Sequence, residues 1–303
     1  GTNFFNGFEF NTADDISHGY VDYLSRTAAS SAGLISSSSS GATIRVQKDK
    51  NLSNSVRGRK SVKIESTKRF DAGLFVARFD HFPKPVCGAW PAFSMYGPNW
   101  PLNGELDIYE QWNKATKNSI TAHTSNLTGT CEIATPALGK YTGTVETTNC
   151  AVGLNPDQCG CSVKENSDRW GNDDGGTYAV QWTDEFIKVW SWSKFGTPWN
   201  VNSATPEPKE APGLNSWGKP HFALYKSSCG IEQAFNEMRI AIGINFCGDS
   251  AGKNWDTKVD GKPSCKSSTG YSTCEKYVQA LGGNYKTWDD VYFKIKDIKV
   301  YQN

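Results

Sequence analysis

The sequence predicts an all-β protein, an antiparallel β-sandwich with one short helix late in the chain. Three observations carry that prediction: many short runs alternating polar with β-branched or aromatic residues, turn residues at close intervals between them, and a single stretch with helical capping and spacing. At 303 residues the chain has the length of one large all-β domain. The Pro-, Asn- and Ser-rich segment 198–220 has strand patterns on both sides and nothing self-contained after it. It is expected to be a surface loop inside a single domain spanning 1–303.

Phe4 to Phe10 reads as an opening strand, and the Ser-, Ala- and Gly-rich stretch from Asp14 to Ser40 as mostly loop. Ala42–Val46, Ser61–Ile64 and part of Leu74–Phe79 alternate as strands do. Ser119–His123 follows, and then Thr142 to Asp174, dense in Asn, Gly and Cys, reads as a long loop pinned by cysteines. Thr177–Trp182 and Phe186–Trp192, joined by Thr183-Asp184-Glu185, form a hairpin pattern. Met238–Phe246 and Val291–Tyr301 supply later strands. The helix is expected after Ser272-Thr273-Cys274-Glu275, a capping-box spacing, with Tyr277, Val278 and Leu281 on one face and Gly282 as the stop.

The chemistry concentrates in Glu105-Leu106-Asp107-Ile108-Tyr109-Glu110, delivered by the turn-rich Gly97–Gly104. Leu, Ile and Tyr between the acids suit a half-buried strand. Plain alternation puts Glu105 and Asp107 on one face and Glu110 on the other, and one β-bulge would restore Glu110 to the same side. Three crowded carboxyls raise one another's proton affinity and keep one of them neutral. Retaining glycoside hydrolysis needs that asymmetry, with a nucleophilic carboxylate and a protonated partner about 5–5.5 Å apart. Glu105 is read as the nucleophile, Glu110 as general acid and then base, and Asp107 as the group that tunes Glu105. The alternative is a solvated acidic strand.

Cys87-Gly88-Ala89-Trp90-Pro91-Ala92-Phe93, Gly97-Pro98-Asn99-Trp100-Pro101 and Gly104 to Glu110 together resemble the active-site region of glycoside hydrolase family 16, in its fungal-type endo-1,3(4)-β-glucanases and laminarinases. Gly58-Arg59-Lys60-Ser61-Val62, His123-Thr124-Ser125, Cys247-Gly248-Asp249 and Lys299-Val300-Tyr301 extend the resemblance over nearly the whole chain. It implies a β-jelly roll whose concave sheet carries a glycan cleft, with Trp90 and Trp100 lining it and His123 beside the catalytic carboxyls. Asn245 and Asp249 are candidates for hydrogen bonds to sugar hydroxyls, or for a turn. The chain departs from the family pattern at Ser94 and Ser250, where Trp is common. It departs again at Gln111-Trp112, which replaces a small pair after Glu110 and makes Trp112 a further substrate-binding candidate.

Eleven Trp, twelve Tyr and fifteen Phe offer flat faces for core packing and for stacking on sugars. A formal net charge of +1 with no basic run gives no footprint for nucleic acid or an anionic membrane. The expected partner is a neutral β-glucan and the chain is expected to be a monomer. Nine cysteines suit a disulfide framework with one left over and its connectivity open, and their spacings lack a structural zinc pattern. No apolar stretch would span a bilayer and no signal segment remains at the start, so a mature secreted protein is expected. Asn51-Leu52-Ser53 and Asn126-Leu127-Thr128 are glycosylation sequons.

The function expected is a secreted, endo-acting, retaining β-glucanase cleaving β-1,3 or β-1,4 bonds in β-1,3-containing glucans, with no metal and no cofactor. The rivals are a transglycosylase on the same residues and a non-catalytic glycan-binding protein.

Overall fold

The computed structural model describes residues 3–48, 52, 57–134, 141–153, 159–167, 175–202, 217–280 and 286–302. Two large antiparallel sheets stack as a jelly-roll sandwich. In one, neighbouring strands run in the order Phe8–Phe10, Lys63–Ser66, Arg239–Phe246, Ala89–Tyr96, Glu105–Glu110, Ser119–Ser125, Cys161–Lys164 and Thr144–Thr147. The other is ordered Phe222–Tyr225, Phe186–Ser193, Gly176–Trp182, Gly73–His81, Tyr292–Tyr301, Gly41–Arg45 and Ile35–Ser38. Two short pairs are parallel: Val21–Tyr23 with Arg59–Ser61, and Ala151–Val152 beside Ser119–Ser125.

Alternation explains the layering. In Arg239–Phe246 the side chains of Ile240, Ile242, Ile244 and Phe246 enter the core, which leaves Ala241, Gly243 and Asn245 for the opposite face of the sheet. Leu106, Ile108 and Tyr109 of the acid strand enter the same core. Tyr109, fully buried, stacks on Phe82 at 4.7 Å and meets Tyr178 and Phe293 edge-on. Burying an aromatic or branched side chain of this size contributes about 1.5–3 kcal/mol, so the strand that carries the acids is held by its neutral residues.

Several expectations need correction. Phe4–Gly7 is a 3-10 turn, and only Phe8–Phe10 pairs as strand. The stretch Asp14–Ser40 holds two strands and a helix, Arg26–Ser31, capped by the Ser25 hydroxyl. Thr142–Asp174 contributes strands Thr144–Thr147, Ala151–Val152 and Cys161–Lys164 in its described part. There polar, Cys-bearing strands at a sheet edge hide from a hydrophobic pattern. Trp199–Asn202 in the 198–220 segment is helical.

The late helix is not alone, since Cys265–Thr269 precedes Cys274–Ala280. In the second, Thr273 rather than Ser272 supplies the cap, its hydroxyl accepting from the Lys276 amide at 3.3 Å. Leu281 and Gly282 lie outside the described residues, as do Asn51 and Ser53 of the first sequon. Among the described residues, no helix is long and apolar enough to cross a membrane.

Four disulfides answer the connectivity question: Cys87–Cys265, Cys131–Cys229, Cys150–Cys161 and Cys247–Cys274. Cys159 is free and exposed. Two bridges fasten the helical segment 248–280 beside the Trp90 end of the nine-stranded sheet, and two fasten the loops that follow the His123 strand. Arg59 is buried and donates to the carbonyls of Gln47 and Val278 at 2.9 and 2.6 Å, which ties the last helix to the sheet.

Candidate active site

The acid strand contains the expected bulge. Against Ala89–Tyr96 the register runs Glu105 to Tyr96, Leu106 to Met95 and Asp107 to Ser94, then resumes with Tyr109 to Phe93 and Glu110 to Ala92. Ile108 is the extra residue. With Leu106, Ile108 and Tyr109 all in the core, Glu105, Asp107 and Glu110 share the opposite face. Asn118 closes the irregularity from the other side: its amide nitrogen donates to the Ile108 carbonyl at 2.9 Å and its amide oxygen accepts from the Glu110 N–H at 2.7 Å.

Each glutamate is gripped by an indole. Trp100 Nε1 donates to Glu105 Oε2 at 2.6 Å, and Trp90 Nε1 donates to Glu110 Oε1 at 2.7 Å. Trp90 stands on the adjacent strand. Trp100, 48% exposed, is presented by the loop Gly97–Gly104, which closes on itself through Gly97 N–H to the Gly104 carbonyl at 3.1 Å. Gly104 has φ +73, and a Cβ there would lie 2.4 Å from the Ala234 carbonyl oxygen, so the turn into the acid strand requires glycine.

His123 stands across from Glu105 in the next strand, with Nε2 3.0 Å from Asp107 Oδ2. Desolvation works against its charge, but the bond to Asp107 and the fields of Asp107, Glu105 and Glu110 prevail and raise its pKa to about 9. Desolvation, with the Glu105 charge, raises Asp107 to about 6. Desolvation also raises Glu105, where His123 opposes the shift and Glu110 adds to it. Glu110 is pushed up to about 7, by desolvation and then by Asp107. The site therefore places a carboxyl that keeps part of its proton near neutral pH beside Asp107 and an imidazolium.

Glu105, Asp107 and His123 place one potential ligand atom each within 4.8 Å of one another, the one such cluster of His, Cys, Asp or Glu side chains among the described residues. With His123 protonated, its Nε2 acts as a donor to Asp107 instead.

Beyond the acids the same face of the sheet carries little bulk. Ala92, Ser94, Ala241 and Gly243 are small residues in register across two strands. Past them lies a polar cluster: Tyr96 Oη and Asn11 Nδ2 donate to Glu65, and Lys63 lies 5.0 Å from the Tyr96 ring centre.

The other candidates fall less centrally. Asn245 is buried opposite Trp90, but its amide donates to Asp15 and Ser17 while its oxygen accepts from the Phe246 amide. It anchors the loop before Gly19 through its amide N–H groups. Asp249 sits in a π-helical turn and pairs with Lys253 at 3.0 Å and His18 at 3.1 Å, the turn reading of that residue. Trp112 is half-buried directly beyond the acid strand. Asn118 and Gly160 escape sequence reasoning. Nothing marks an Asn before a strand as a bulge partner, and Gly160 is legible only through the space it leaves: at φ +101, a Cβ there would stand 2.6 Å from His123 Nδ1.

Residues 8–301 match the profile of XgeA-like, catalytic GH16 domains. A probable endo-1,3(4)-β-glucanase of Aspergillus niger is 36% identical over 100% of this chain, which spans 39% of that relative's length. Among solved structures, an elongating GH family 16 β-1,3-glucosyltransferase superposes with a TM-score of 0.84 at 32% identity, covering 100% of this chain and 97% of the other. Laminarinase 16A from Phanerochaete chrysosporium, with 6-O-glucosyl-laminaritriose in donor and acceptor sites, gives 0.82 at 29% identity with the same coverage.

Proposed function

We infer the activity from one premise: the chain belongs to the XgeA-like catalytic domains of glycoside hydrolase family 16. It is a retaining endo-β-glucanase that cleaves β-1,3 or β-1,4 bonds within β-1,3-containing glucans such as laminarin or mixed-linkage glucan. The observation that carries this reading is the pair of glutamates brought to one face by the Ile108 bulge, one of them keeping part of its proton near neutral pH.

Glu105 attacks the anomeric carbon to form a glycosyl-enzyme, while Glu110 passes its proton to the departing oxygen. Glu110, now a carboxylate, removes a proton from the incoming water, which displaces Glu105 with net retention. Such acid–base assistance contributes about 10²–10⁴-fold. Asp107 and His123 fix the Glu105 side of the site, the imidazolium favouring the ionised nucleophile. The small residues beside the acids and the polar cluster beyond them leave room for a neutral sugar chain, and Trp90, Trp100 and Trp112 are its aromatic contacts. Residues 1–303 act as one catalytic domain, as a monomer and without a cofactor. Four disulfides support an extracellular location.

The decisive experiment is release of reducing ends from laminarin and barley-type glucan by the wild type and Glu105→Gln. Loss in the variant is expected, and activity retained there defeats the assignment. A second reading, transfer of the intermediate to a sugar acceptor, is favoured by the likeness to an elongating glucosyltransferase. Products longer than the starting oligosaccharide would select it; progressive shortening selects hydrolysis.

A further inference from the structure

We propose that Asn118 is a positioning residue for the acid/base carboxyl: its carboxamide stands in for the strand partner that the bulge has lost, and so fixes the main chain that aims Glu110. The inference rests on the role given to Glu110 above.

The pairing between the acid strand and Ser119–Ser125 covers His123–Glu105, Ala122–Leu106 and Thr121–Asp107, and then stops. Carried on, that register would set Asn118 across from Glu110. The extra residue puts the backbones out of step, which leaves the Ile108 carbonyl and the Glu110 N–H facing the neighbour without main-chain partners. A buried backbone group without a partner costs about 1–3 kcal/mol. A carboxamide carries the same donor and acceptor as a peptide group, and Asn118 supplies both: Nδ2–H to the Ile108 carbonyl at 2.9 Å, and Oδ1 to the Glu110 N–H at 2.7 Å.

The residue is itself immobilised. Asn118 is 0% exposed, and its own carbonyl accepts from the Glu165 N–H at 2.9 Å. The Glu165 carboxylate, also fully buried, accepts from Tyr178 Oη at 3.1 Å and Ser191 Oγ at 2.5 Å, both on the second sheet. Thus Asn118 pairs by its backbone with one strand and by its side chain with another. Glu110 is then held at its main chain by Asn118 and at its carboxyl by Trp90. Asn118 is fully buried and meets no sugar, so its effect on the reaction runs through Glu110.

The test compares kcat/KM for the wild type, Asn118→Ala and Asn118→Asp on laminarin, whose leaving oxygen must be protonated, and on a 2,4-dinitrophenyl laminaritrioside, whose leaving group departs without a proton. Asn118→Asp keeps the acceptor for Glu110 and removes the donor to Ile108, so it carries the test if the alanine variant does not fold. A positioning role predicts a loss of roughly thirtyfold on laminarin and less than about threefold on the dinitrophenyl substrate, within the range of acid catalysis. Equal losses on both substrates, the signature of a smaller folded fraction, overturn it, as does no loss. Absence of turnover by the wild type on either substrate defeats the glucanase reading and this inference together, whereas parallel losses from an active wild type defeat this inference alone.

Discussion

Trp90 donates its indole N–H to Glu110 from the strand directly alongside, at 2.7 Å. Its counterpart for Glu105 is Trp100, at 2.6 Å, but from a loop. A donor to the ionised form lowers a carboxyl's pKa, so each tryptophan tunes one glutamate and the two effects separate on a pH axis.

Trp90→Phe should raise the pKa of Glu110 above about 7. Because that group must start protonated, the alkaline limb of kcat/KM moves to higher pH. Trp100→Phe should raise Glu105, which must start ionised, so there the acid limb moves to higher pH. Profiles on laminarin read both, and a shift of the same limb in both variants contradicts the assignment of nucleophile and acid.

Glu110→Gln should stabilise the fold in a pH-dependent way. The carboxyl's pKa rises from 4.5 to about 7 on folding, so the native state keeps a proton that the unfolded chain releases. Its contribution is complete below the unfolded value and is lost as pH rises through about 7. Urea unfolding should show wild type and variant alike near about pH 4, and the variant ahead by about 1–3 kcal/mol near about pH 8. A constant difference at both values would contradict the burial effect.

Gly160→Ala should damage catalysis through His123. The backbone there has φ +101, and the new Cβ would press on Nδ1 from 2.6 Å and on the Ala122 carbonyl from the same distance. A strained position of this kind costs about 1–3 kcal/mol. If His123 moves off Asp107, its titration by NMR should fall from about 9 towards about 6.5, with kcat dropping more than KM rises. An unchanged titration would show that the ring tolerates the methyl.

Thiol titration of the native protein should find one reactive group, and Cys159→Ala should abolish it, since the other eight cysteines are paired. Two or more reactive thiols would mean that a bridge is open.

The central strands and the bulge were legible in the sequence because both follow from alternation. Leu106 and Ile108 declare a buried face, and Glu110 breaks parity in a way that one extra residue repairs. The edges were not. Cys161–Lys164 and Thr144–Thr147 are mostly polar, and the Cys150–Cys161 bridge beside their pairing is not revealed by spacing. In the site, acids and indoles could be named because their chemistry is uncommon. Asn245 was open to a sugar-binding or a turn reading because a polar residue near a strand end looks the same in either, and its three contacts show the part it plays in holding the loop.

None of the four bridges joins a strand of one sheet to a strand of the other; each sews an excursion of the chain to its surroundings. All eight bridged cysteines nevertheless lie within the main apolar cluster, so each excursion is fastened from inside the core. A mild reductant should therefore leave both turnover and the circular-dichroism signature intact until the chain around a bridge opens, because burial and not redox poise guards the sulfurs.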